Sequence, residues 1–87
     1  MAKSKSDIAC SLLVRLLRDK RVALGLSMNT VAKRSRLSHS MISRVEHELR
    51  RPTLDTLLRI TEAMGIELWP LINQAEQMQE ASRRRQK

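Results

Sequence analysis

Aromatic residues are almost missing from this chain: it has no Phe and no Tyr, and Trp69 is the single Trp in 87 residues. The core must therefore be aliphatic, made by Leu, Ile, Val and Met, and a helical fold accommodates that best. Glycine is scarce too. With only Gly25 and Gly65 there is no Gly-rich loop to cradle a phosphate. Cys10 stands alone, so no intrachain disulfide forms, which agrees with a reducing compartment. No apolar run approaches the roughly 20 residues that span a bilayer, and the first seven residues lack the apolar centre of a signal peptide. The expectation is a cytoplasmic chain that leaves the membrane alone. Cys10, His39 and His47 are the only nitrogen or sulfur metal ligands, and the two histidines lie about 12 Å apart along one short helix. They cannot share a metal ion. No Ser/His/Asp set or paired-carboxylate spacing stands out, so the sequence reads as a non-enzyme without cofactor or metal.

What is present is positive charge. Hydrophobic residues at 41% and charged residues at 30% suit one ordinary small domain, but the formal net charge is +8. Its placement says more than its size. Between residues 20 and 51 there are eight basic side chains against Glu46 and Glu48, so that stretch alone carries +6. A polyanion is the natural partner, since neutralising phosphates and releasing their counterions drives nucleic-acid binding; the bland alternative is a solvated charged surface.

The pattern inside that stretch separates the two. Residues 26–51 read LSMNTVAKRSRLSHSMISRVEHELRR. Ser27 suits an N-cap, and Val31 and Ala32 face inward from the helix it starts. Leu37 follows a polar run and sits in an elbow. Ser38 caps a second helix whose Ile42 and Val45, three apart, share a buried side. His39, Ser40, Ser43 and Arg44 fall on the other side, and all can donate hydrogen bonds. Two short helices at a steep angle, the second free to lie in the major groove, make a helix-turn-helix.

The spacing from Arg21 through Gly25, Ser27, Ala32, Leu37, Ser38, Ile42, Ser43, Arg44, Glu46, Pro52 and Leu57 to Gly65 resembles the lambda-repressor-like, Cro/C1-type (XRE) helix-turn-helix family over about residues 13–72. Three positions depart from it: Met28 stands where Gln is common, and Arg36 and Glu48 stand where Gly is usual. The resemblance implies an all-α, compact five-helix DNA-binding domain with the helix-turn-helix at helices 2 and 3. It also implies a structural ion pair between Arg21 and Glu46, and a DNA-binding transcriptional regulator, a repressor, acting as a homodimer on a pseudo-palindromic operator in double-stranded DNA. On this reading His39, Ser40, Ser43 and Arg44 contact bases, Arg44 by matching the O6 and N7 acceptors of guanine. Ser27, Asn29, Lys33, Arg34, Arg36, Ser38, His47, Arg50 and Arg51 contact phosphate. Two other readings stay open: an antitoxin that represses its own operon while binding a toxin, and a protein-interaction module that has lost DNA binding, for which Met28 speaks.

For the rest of the chain, residues 1–6 read as a flexible basic arm, 7–82 as the domain and 83–87 as a basic tail. Helix 1 is expected from Ser6 or Asp7 to Leu24, with Leu13, Leu17 and Leu24 as its core stripe and Gly25 as its stop. Ile8, Leu12, Val14 and Leu16 widen its apolar arc, to be covered by a partner or by the C-terminal segment of the same chain. Pro52 forbids continued helix. Thr53 caps helix 4, Leu54–Met64, with Leu54, Leu57, Leu58, Thr61 and Met64 at helical spacing. Trp69 is expected at the domain edge. Helix 5 runs from Pro70 to about Ser82 with Leu71, Ala75, Met78 and Ser82 on one face and Ile72 and Gln79 beside them. Ile8, Leu12, Leu16, Leu71, Ala75 and Met78 together are the expected dimer interface.

Overall fold

The computed structural model describes residues 3–85, which form five α-helices: α1 (Lys5–Ala23), α2 (Met28–Ser35), α3 (His39–Glu46), α4 (Leu54–Met64) and α5 (Trp69–Arg85). No strand occurs among the described residues. Each of the first four helices opens on a hydroxyl. Ser4, Ser27, Ser38 and Thr53 accept the backbone N–H three residues on, at 3.0 to 3.1 Å, satisfying a donor the helix cannot. At α1 the cap is reciprocal, because the Asp7 carboxylate accepts from the Ser4 N–H at 3.1 Å. Of the expected arm, Lys5 and Ser6 lie in α1, and residues 1 and 2 are outside those described.

The same four helices close alike. Gly25, Arg36, Glu48 and Gly65 all have positive φ (70°, 61°, 58° and 72°). The N–H of the residue that follows each of them returns to a carbonyl five positions back, at 2.9 to 3.1 Å. The two departures from glycine therefore keep the left-handed backbone and its cost, about 1 kcal/mol each.

α5 packs along α1, α4 along α2, and α3 is held against α2 and α1. Val31, Ile42 and Val45, each at most 1% exposed, sit at the centre, with Leu37 and Met41 packed against them. Burying each such side chain contributes roughly 1.5 to 3 kcal/mol, which fixes the α2–α3 angle. Leu13, Val14 and Leu17 are the buried residues of α1. Leu24 is not among them: it lies past the last turn and is half-exposed. Leu54 and Leu58 on α4 are also exposed, because the buried arc passes through Leu57, Ile60, Thr61 and Met64. On α5 the buried line follows i, i+4 steps through Leu71, Ala75 and Gln79, so Met78 and Ser82 face solvent. The spare arc of α1 is covered largely by this chain's own α5. Leu71 and Ala75, expected at a dimer interface, are only 3% and 1% exposed and belong to the core. Ile8, Leu12 and Leu16 are partly buried. α5 continues through Arg85, so three residues of the expected tail are helical; residues 86 and 87 lie outside those described.

Candidate nucleic-acid interface

α3 is eight residues long, about 12 Å, and buries one side completely through Ile42 and Val45. Its opposite side carries two stripes at i, i+4 spacing: His39, Ser43 and His47, and beside it Ser40 and Arg44. All are exposed except Ser43, which is half-buried. Arg44 makes no ion pair among the described residues. Glu48, one turn away and the obvious carboxylate to quench it, turns elsewhere and accepts a hydrogen bond from Ser11 Oγ at 2.5 Å. A forked guanidinium with free donors is thereby left on the outward side of a helix whose inward side is fixed.

The neighbouring cations differ in how they are held. Lys33, Arg36 and Arg50 are exposed and unpaired among the described residues, as is the amide-bearing Asn29. Arg34 reaches the last turn of α4, where Nη1 lies 3.5 Å from the Ala63 carbonyl. Arg51 bonds to Asp7, Nη2 to Oδ1 at 2.5 Å. Bonds from Arg51 and from Ser4 hold the Asp7 carboxyl down at about 2. Ser27 and Ser38, expected on phosphate, accept the N–H groups of Thr30 and Met41 on their hydroxyl oxygens, which leaves each its own O–H to donate. What they leave open are the first N–H groups of α2 and α3, which point out of the helix ends. His47 Nδ1 donates to the Ser43 carbonyl at 2.8 Å. The neutral ring then offers only an acceptor at Nε2, so His47 can donate to phosphate only as imidazolium.

The segment that ends α3 is stitched to α1 by three residue pairs in reverse order. Glu46 accepts from Arg21 Nε at 2.6 Å and Nη2 at 2.9 Å, Glu48 accepts from Ser11, and Arg51 donates to Asp7. Arg21 and Glu46 are mostly buried, their side chains 12% and 9% exposed, and Arg21 Nη1 also donates to the Leu26 carbonyl at 2.8 Å. The Glu46 carboxylate raises the Arg21 pKa above its ordinary value. Both acids of the basic stretch are therefore turned toward α1, and the free charge on its outward side is positive. Ser11, Glu48 and Asp7 carry no sequence signal for this seam, apart from the Ser4–Asp7 capping spacing.

Among the described residues no group of three His, Cys, Asp or Glu side chains could hold a metal ion. No helix among them is long and apolar enough to cross a membrane. The helix-turn-helix family model matches residues 17–68, from the middle of α1 to the residue before α5. No curated protein and no solved structure matches the chain.

Proposed function

The chain belongs to the Cro/C1-type (XRE) helix-turn-helix family of DNA-binding transcription regulators, and from that premise we propose that it is a cytoplasmic repressor that binds a pseudo-palindromic operator as a homodimer. α3 lies in the major groove. His39, Ser40, Ser43 and Arg44 meet base edges, with Arg44 on guanine O6 and N7. Lys33, Arg36, Arg50 and the open N-termini of α2 and α3 take phosphates on either side, and Asn29 lies beside them. Two copies present their α3 helices one DNA turn apart, about 34 Å, to reach successive major grooves.

The observation that carries this reading is Arg44 on an exposed face without an ion pair among the described residues, with Glu48 drawn off to Ser11. A module that had abandoned DNA would have no need to keep that guanidinium free or to concentrate +6 around it. Selection of bound duplexes from a random pool is the test. An enriched site with two related half-sites spaced by one helical turn is the expected result, and a pool that stays random after repeated rounds would overturn it.

A further inference from the structure

We propose that Ser11, in the middle of α1, is a positioning residue for base recognition: by holding the Glu48 carboxylate against α1 it keeps that carboxylate off Arg44. This rests on the operator-binding reading above and adds to it a residue that does not touch DNA.

Glu48 is costly where it stands. Its φ is 58°, a left-handed backbone that disfavours any residue with a Cβ, and it sets a negative charge beside the surface that meets phosphates. Its main chain has no freedom to withdraw. The N–H groups of Leu49 and Arg50, the two residues after it, both return to the Arg44 carbonyl, at 2.9 and 3.3 Å. Glu48 is thereby fixed one turn from Arg44, a separation at which a carboxylate and a guanidinium ordinarily pair. Only the direction of the side chain decides which group it meets.

Ser11 sets that direction. Its Oγ donates to Glu48 Oε1 at 2.5 Å, short as bonds to a charged acceptor are, and no cation among the described residues pairs with the carboxylate. Of the arginines on this side, Arg51 is held by Asp7 and Arg21 by Glu46. Arg15 and Arg18 of α1 border the same recess as Glu48, but Asp19 and Glu46 border it with them. Arg44 has no such acid beside it. Take away the Ser11 hydroxyl, and the exposed arginine to which the main chain ties Glu48 becomes its partner. An arginine so paired must release its own carboxylate before its forked donors reach guanine, and the released charge then faces the DNA.

Affinity for the selected operator and its single-base variants, measured with Ser11→Ala, tests the proposal. Alanine is the best helix former, so α1 is retained, and circular dichroism checks that it is. Ser11→Ala should weaken operator binding roughly two- to fivefold, the range of an exposed ion pair, and flatten the preference at the same base position that Arg44→Ala affects. Ser11→Thr, which keeps the hydroxyl, should hold the affinity. Glu48→Gly, which suits the left-handed backbone, should make Ser11→Ala silent, whereas a loss from damaged packing would persist there. In the free chain the Arg44 Nε–H resonance should shift in Ser11→Ala and return when Glu48→Gly is added. Unchanged operator affinity in Ser11→Ala, the result if Glu48 turns to Arg15 or Arg18, overturns the proposal. So does an equal loss on every base variant, the result if it turns to Arg50, or a loss that survives Glu48→Gly. A wild-type chain that binds no duplex removes the operator reading alone, and the Arg44 Nε–H shift then decides the positioning by itself.

Discussion

Arg44 is the residue on which specificity turns. It is exposed, unpaired among the described residues and one turn beyond Ser40. Arg44→Ala should weaken binding to the selected operator by roughly 1 to 3 kcal/mol and relax the preference at one base position. Arg50→Ala should weaken all sequences alike, so affinities measured on single-base variants separate the two roles. Equal losses on every variant for Arg44→Ala would take away its base contact. Arg36 offers a test of backbone strain. It sits at φ 61° with no ion pair among the described residues, and Arg36→Gly should raise the unfolding free energy by about 1 kcal/mol while costing DNA affinity; a denaturant titration showing lower stability would contradict the strain. Asp7 gives a pH signature. Its pKa in the folded chain is about 2, below the ordinary 3.8, so its contribution is present above pH 4 and is lost as pH falls toward 2. Carboxyl NMR titration should find Asp7 moved up toward 3.8 in Arg51→Ala; an unchanged value would mean that Arg51 is not its partner in solution.

At the scale of elements, the helix-turn-helix was legible because its signals are local. Ser27 and Ser38 announce the starts of α2 and α3, and Val31, Ala32, Ile42 and Val45 announce their inner faces. The seam along α1 was not legible, since Ser11 and Glu48 are 37 positions apart and Asp7 and Arg51 are 44 apart, and no period links them. The phase of α5 was missed for a physical reason too. The third place of its buried line is taken by Gln79, a polar residue, and hydropathy points to Met78 instead. Leu24 has a suitable position by period, but the helix ends at Ala23 and Gly25 swings the chain away. The element most exposed to a single change is α3, because its end is braced by Arg21 and Glu46. Removing one partner of so enclosed a pair strands the other charge, and Arg21→Ala should cost roughly 3 to 5 kcal/mol. A double-mutant cycle with Glu46→Gln should show strong coupling in thermal or denaturant unfolding. Additive effects of the two changes would remove the brace.

The molecule as a whole divides its labour by charge. The basic stretch faces outward on α2, α3 and the segment after α3, while the α4–α5 connection is acidic and apolar. The family match covers residues 17–68, so the first turns of α1 and all of α5 lie outside it, and their roles rest on packing alone. Sequence-specific binding requires that the fixed α3 face add to the phosphate contacts, and the two contributions respond differently to salt. The most direct measurement is fluorescence anisotropy of the selected operator and of a scrambled duplex of equal length across a salt series. Both affinities should fall steeply, with a log-log slope of about −0.9 per phosphate contact, and the operator should stay at least about a thousandfold tighter at physiological salt. Equal affinity for the two duplexes, or binding that does not respond to salt, would contradict the assignment of α3 as a reader of DNA sequence.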